Sequence, residues 1–177
     1  MKQILKQDSR SVITRDGDKV IKTFPVPKPE LSRRHNWLFH YESFYNMYGG
    51  VVRVHEADEN HVVMDYVDGL LLDDLWWRDD KLEHAVSYKA FAAILQNLSN
   101  MADYSSNLEK VWFHNDAGSH NYMYVDGHFV LIDPESFVMT KNPYPGAFVS
   151  PLHPLHNILR TLFVLHKRDY IEEKNAK

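Results

Sequence analysis

β-branched apolar residues cluster in two short runs near the start of the chain, Ser11-Val12-Ile13-Thr14 and Lys19-Val20-Ile21-Lys22-Thr23-Phe24. Between them Arg15-Asp16-Gly17-Asp18 carries an Asp-Gly pair, the strongest short hairpin signal. A candidate strand at 3–6 precedes the hairpin. The stretch Pro25-Val26-Pro27-Lys28-Pro29 ends it, because proline donates no ladder hydrogen bond, and reads as a connector. From 30 to 48 the apolar residues Leu38, Tyr41, Phe44, Tyr45 and Tyr48 recur at spacings of three and four, predicting one amphipathic helix that Gly49-Gly50 stops. Val51-Val52-Arg53-Val54-His55 and His61-Val62-Val63-Met64-Asp65-Tyr66-Val67 flank the polar stretch 56–60 and predict another strand pair. The order up to residue 67 is therefore β-β-β-α-β-β.

After Asp68-Gly69 the pattern turns helical, with a short segment at 70–77 and a longer one from about 83 to 101. Tyr88, Phe91, Leu95, Leu98 and Ala102 form its predicted core-facing stripe. Val111-Trp112-Phe113 reads as a strand. Residues 121–125 and Phe129-Val130-Leu131-Ile132 flank Asp126-Gly127 as a second hairpin. A proline-rich loop at 142–154 and a helix near 155–167 complete the reading. No repeat and no low-complexity segment interrupts it.

Composition narrows the class. At 177 residues, 44% hydrophobic and 13% aromatic, the chain suits one domain, or two small lobes sharing a cleft, and not a disordered polymer. Lys and Arg number 20 against 24 Asp and Glu, with no basic stripe, so nucleic acid is not an expected partner. The absence of cysteine excludes disulfides, Cys-ligated zinc, iron–sulfur clusters and thiol catalysis. The first residues lack the apolar core of a signal peptide, and no run approaches the roughly 18 apolar residues of a membrane helix. The expectation is a soluble cytoplasmic protein, in its own cell or in a host's, with no membrane partner.

The candidate chemistry lies in His114-Asn115-Asp116-Ala117-Gly118-Ser119-His120-Asn121, with Asp133 twelve residues further on at the end of an apolar strand. Two carboxylates and an amide at strand mouths suit divalent-cation coordination and deprotonation of a hydroxyl. This arrangement resembles the H-x-D-x-x-x-x-N catalytic loop and following metal-binding Asp of the protein-kinase-like fold, shared by protein kinases and aminoglycoside-phosphotransferase-type kinases. Val20-Ile21-Lys22 is similar to the family's third-strand lysine motif, and Glu42 lies on the predicted helix where the partner glutamate is expected. The segment 63–69 is similar to the hinge that reads adenine. The likeness covers about residues 4–137.

The resemblance implies an α+β fold in two lobes: a small antiparallel-sheet N-lobe with one helix at 1–67, and a truncated, mainly helical C-lobe at 68–177. It implies ATP and Mg²⁺. Lys22 would hold the α- and β-phosphates with Glu42 fixing it, Ser9 and Ser11 would meet phosphate, and Met64 and Tyr66 would contact the base. Asn121 and Asp133 would bind Mg²⁺, Asp116 would accept the substrate proton, and His114 would brace the loop. The expected reaction is transfer of the γ-phosphoryl group to a hydroxyl, Ser or Thr of a protein substrate.

Departures from the pattern keep other readings open. The loop 7–11 has no glycine, Asn115 replaces the arginine of H-R-D, Gly118 stands at a common lysine position, and Asp133-Pro134-Glu135 replaces D-F-G. Only 44 residues follow Asp133, fewer than the helices of a full C-lobe require. A pseudokinase acting by protein contact, and an aminoglycoside-type small-molecule phosphotransferase, are the alternatives. A metal hydrolase using His114, Asp116, His120, His153 and His156 is a weaker one, since no H-E-x-x-H occurs. Leu70-Leu71-Leu72 with Trp76-Trp77 reads as buried between lobes.

Overall fold

In the computed structural model, residues 2–32, 36–72, 74, 84–106, 108–116 and 119–140 are described. Five strands, β1 (Gln3–Gln7), β2 (Val12–Asp16), β3 (Lys19–Thr23), β4 (Val54–Ala57) and β5 (His61–Asp65), form one antiparallel sheet in the order β1-β2-β3-β5-β4. The expected hairpin is the pair β2–β3. Asp16 faces Lys19 across a two-residue turn, and Gly17 takes φ 63, the left-handed conformation for which only glycine carries no Cβ penalty. Val20 of β3 faces Met64 of β5, and Lys22 faces Val62, so these four share the sheet face turned toward the core.

Helix α1 spans Trp37–Tyr48, later than the expected start at 30. Pro29-Glu30-Leu31 instead closes a separate 3₁₀ turn, and Asn36 enters the helix at φ 52. Trp37, Tyr41 and Phe44 make its buried face. The strand expected at 51–55 instead runs Val54–Ala57. Gly49 and Gly50, at φ 64 and 68, turn the chain so that 50–52 bond to the end of a later hairpin: Leu131 N–H donates to the Gly50 carbonyl and Val52 N–H to the Leu131 carbonyl, both at 2.9 Å.

Beyond residue 68 the described residues hold one long helix, α2 (His84–Ser106), and five short strands: β6 (Leu70–Leu71), β7 (Val111–His114), β8 (Tyr122–Val125), β9 (His128–Leu131) and β10 (Phe137–Thr140). The second Asp-Gly hairpin is β8–β9; Asp126 and Gly127 take φ 48 and 84, as a type I′ turn requires. Leu70–Leu71 pairs with β8 where a short helix is expected, and β10, pairing with β7, has no counterpart in the sequence reading. Leu70 is exposed and Leu72 fully buried. Trp76, Trp77, the 142–154 loop and the 155–167 helix fall outside the described residues.

The buried face of α2 carries Ala90, Ile94, Asn97, Met101 and Tyr104, whereas Leu95 is exposed and Phe91 and Leu98 pack only at its margin. The predicted stripe followed the largest apolar residues; the actual face is set by close approach. Ala90 admits a neighbour, and Asn97 donates to both the Gly50 carbonyl and the Tyr122 hydroxyl at 3.4 Å. Phe137 joins the two halves: its ring stacks on Trp112 (5.3 Å), meets Tyr41 edge-on (5.4 Å), and its carbonyl accepts the Trp37 indole N–H at 2.8 Å. Side chains from α1, β7 and β10 thus lock together beneath the site.

Candidate active site

A cavity of about 510 Å³ opens between the β1–β2 loop, β3, the connector that follows β3, and the loops after β7 and β9. Lys22, Asp116, Asn121, Asp133, Ser9 and Ser11 all line it, so six of the nine residues expected to act together do meet. Glu42, Met64 and Tyr66 are not among its lining residues.

The two acidic loops are stapled to one another. Asn115 N–H donates to the Ser136 carbonyl at 2.8 Å, and Ile132 N–H to the Asn121 carbonyl at 2.7 Å. His114, 1% exposed, donates from Nε2 to the Asp133 carbonyl (3.1 Å) and accepts the Asp116 N–H at Nδ1 (3.1 Å). Burial outweighs the neighbouring carboxylates and lowers its pKa from 6.5 to about 4, so it is neutral with the proton on Nε2. It touches both carboxylate-bearing loops without reaching the cavity: a brace. Asn121 donates from Nδ2 to the Asp116 carbonyl at 2.6 Å, which leaves Oδ1 as the atom it can offer to a cation. The Asp116 carboxylate lies 3.0 Å from His120 Nε2, on the solvent side of the cavity.

Lys22 does not meet Glu42. Its ammonium bonds Asp133 Oδ1 and Glu135 Oε1, with the lysine side chain 12% and the Glu135 side chain 2% exposed. Glu42 follows the buried Tyr41 by one residue, about 100° round the helix, and so faces solvent. Glu135 takes the place expected for it, because Asp133 adopts φ 69 and Pro134 opens a 3₁₀ turn that swings residue 135 back toward β3. Nothing in the local pattern signalled this residue.

Electrostatics follow the burial. For Lys22 burial favours loss of the proton, but Glu135 and Asp133 outweigh it and hold the pKa above the usual lysine value. Burial likewise pushes Asp133 up, yet Lys22 and the Ser136 hydroxyl, donating to Oδ2 at 2.9 Å, hold it below the ordinary carboxylate range. Glu135 goes the other way, raised by burial and by the charge on Asp133. Its Oε2 is buried with no hydrogen-bond partner among the described residues.

In the β1–β2 loop two backbone amides turn inward to a side chain of the loop itself. Arg10 and Ser11 N–H groups donate to Asp8 Oδ1 at 2.8 and 2.9 Å, and these two bonds hold the Asp8 pKa low. A carboxylate of the chain itself thus occupies two of the loop's amides, one of them that of Ser11. Asp8 three residues ahead of Ser11 is an Asx-turn signal that sequence could have yielded. Met64 is 6% exposed and packs in the core. The Tyr66 N–H donates to the Asp18 carbonyl at 2.8 Å, and its ring lies 3.6 Å under the Arg15 guanidinium.

Asp133 and Asn121 Oδ1 form an oxygen-only donor pair at the cavity wall, the kind Mg²⁺ takes together with phosphate oxygens. Among the described residues no group of three or more His, Asp or Glu could hold a metal ion; His153 and His156 of the hydrolase alternative lie outside them. No helix among them is long and apolar enough to cross a membrane.

No protein-family model matches the chain, and no curated protein matches its sequence. Solved structures do match. A Legionella pneumophila kinase bound to IP6 aligns with a TM-score of 0.59 at 13% identity, covering 94% of this chain and 58% of that one. The aminoglycoside phosphotransferase APH(2'')-Ib, ADP-bound, aligns with a TM-score of 0.52 at 11% identity, over 79% of this chain and 67% of that one. The Cydia pomonella granulovirus kinase PK-1 gives 0.51 at 20% identity, over 78% and 55%. The chain spans about two thirds of the length of these structures, or less.

Proposed function

The chain has the protein-kinase-like fold, and on that premise we propose that it is an ATP-dependent phosphotransferase whose acceptor is a Ser or Thr hydroxyl of a protein. The observation that carries the reading is the convergence of Lys22, Asp116, Asn121 and Asp133, far apart in sequence, on one cavity. Lys22 holds phosphate oxygens by charge-assisted hydrogen bonds. Asp133 and Asn121 hold Mg²⁺, which supplies neutralisation of the charge on the transferring group. Asp116 orients the acceptor hydroxyl and takes its proton as the hydroxyl oxygen bonds to the γ-phosphorus; the bond to the β–γ bridging oxygen breaks and ADP leaves with that electron pair. Lys22 uses two of its three N–H donors on Asp133 and Glu135, which leaves the third for phosphate.

A protein acceptor suits the exposure of the acceptor side. The side chains of Asp116 and His120 are 41% and 48% exposed, open to a residue presented on another macromolecule. The ADP-bound aminoglycoside phosphotransferase is the ground for keeping a small-molecule acceptor as the second reading.

The test is incubation of the purified protein with Mg²⁺ and γ-labelled ATP, alone, with a generic protein acceptor and with a cell lysate, beside Asp116→Ala and Asp133→Ala. Label on protein that both substitutions abolish supports the proposal. Consumption of ATP only with an added aminoglycoside supports the second reading. Label that persists in Asp133→Ala overturns the assignment of the site.

A further inference from the structure

The connector after β3 forms a wall of the cavity: Phe24, Val26, Pro27, Lys28 and Glu30 all line it. It is held rigidly. Phe24 N–H donates to the Asn60 carbonyl at 2.8 Å and Lys28 N–H to the Glu59 carbonyl at 2.6 Å, while prolines at 25, 27 and 29 fix φ along it. The Lys28 ammonium lies 4.7 Å from the centre of the Phe24 ring and 3.7 Å from Glu135 Oε1, the oxygen that Lys22 also bonds. Two lysines from separate segments therefore converge on one buried carboxylate.

We propose that Lys28 is a second phosphate-binding cation of this site, acting beside Lys22 where the Arg10 and Ser11 amides of the β1–β2 loop are spent on Asp8. The proposal rests on the phosphotransferase reading. Its ligand is the polyphosphate of a nucleoside triphosphate.

Three observations carry it. The loop that faces the cavity from β1–β2 has given its Arg10 and Ser11 amides to Asp8, and Asp8 N–H to the Ser11 carbonyl at 3.0 Å, which shifts phosphate contact toward side chains. Of the four lysine and arginine side chains that line the cavity among the described residues, Lys6 and Arg10 are 58% and 85% exposed and face Asp8 at 3.4 and 4.0 Å; solvent and salt weaken what such groups contribute. Lys22 and Lys28, at 12% and 33%, are the two in reduced contact with water. Finally, 3.7 Å from Glu135 is beyond a good hydrogen bond, so turning toward an arriving phosphate forfeits little for Lys28 and gains a short charge-assisted bond.

The experiment titrates the full chain calorimetrically with Mg²⁺-ATP, Mg²⁺-ADP, adenosine and inorganic tripolyphosphate, comparing wild type with Lys28→Met, Lys28→Arg and Lys6→Met. Lys28→Met keeps the apolar stem, and an unchanged melting temperature without nucleotide confirms its fold. The expected result is ATP and tripolyphosphate binding weakened about tenfold in Lys28→Met, the size of one charged hydrogen bond. Adenosine binding stays as in wild type, Lys28→Arg recovers most of the loss, and Lys6→Met loses less than Lys28→Met. Equal ATP affinity in wild type and Lys28→Met overturns the proposal, and so does an equal loss for adenosine, which marks a structural wall residue. If wild type binds tripolyphosphate but no nucleotide, the phosphotransferase reading falls and the tripolyphosphate comparison alone decides Lys28. If it binds neither, both fall.

Discussion

His114 gives a stability measurement that reads the construction of the loop. Its ring is 1% exposed, packs edge-on against Phe137 at 4.9 Å, and ties Asp133 to Asp116 through its two nitrogens. Burial lowers its pKa from 6.5 to about 4. Between those values the unfolded histidine binds a proton that the folded one refuses. Stability is therefore full above pH 6.5, falls as pH drops through the window, and stops responding to this group below about 4. One proton corresponds to about 1.4 kcal/mol per pH unit at most, so the whole window amounts to about 3 kcal/mol. The isolating perturbation is His114→Gln, whose amide nitrogen can still donate to the Asp133 carbonyl but does not titrate. Urea unfolding of both proteins, at steps from about pH 7.5 to 4.5, gives the difference curve. Asp133 and Glu135 titrate in both proteins and largely cancel. Wild type is expected to lose about 2–3 kcal/mol relative to the variant across the window. Parallel curves would show that His114 takes its proton without unfolding, and would refute the account of the loop as closed around a neutral imidazole.

Lys22→Met leaves Asp133 and Glu135 facing each other without their shared cation; a loss of about 3 kcal/mol in urea unfolding is expected, with part of it restored by adding Glu135→Gln. Gly69→Ala is expected to cost more than Gly17→Ala, because a Cβ at 69 would lie 2.5 Å from the Tyr124 carbonyl oxygen, whereas at 17 it meets open space and only the φ of +63 is strained, about 1 kcal/mol. Thermal unfolding of the pair checks the order. Asp8→Ala frees the Arg10 and Ser11 amides, and faster hydrogen exchange at those two positions, with the rest of β1–β2 unchanged, is the expected outcome.

The hairpins were legible because their signals are local: Gly17, Asp126 and Gly127 sit in the left-handed conformations their turns demand. Helix α1 was legible from Tyr41 and Phe44, though not its start, since a proline-initiated 3₁₀ turn and a helix carry the same N-terminal signals. The predicted and actual faces of α2 differ because apolar size points to Leu95 and Leu98, whereas the buried face includes the polar Asn97. Its amide is needed where Gly50 and Tyr122 come together, a tertiary fact with no periodicity of its own. Strand β10 went unread for a similar reason: Phe137–Thr140 is four residues long and earns its place by pairing with β7.

The site divides along the same line. Asp116, Asn121 and Asp133 share two short loops at strand ends, so spacing alone placed them together. The partner of Lys22 depends instead on which way a helix is rolled. Burial of Trp37, Tyr41 and Phe44 rolls α1 so that Glu42 faces solvent, and the left-handed Asp133 with Pro134 delivers Glu135 to the lysine. The lysine is thereby held by the segment that carries Asp133 and Glu135, and α1 is left to serve the core. On this construction Glu42→Ala leaves nucleotide affinity as it is, while Glu135→Gln weakens Lys22's hold and lowers it, a contrast that a helix-anchored lysine would reverse.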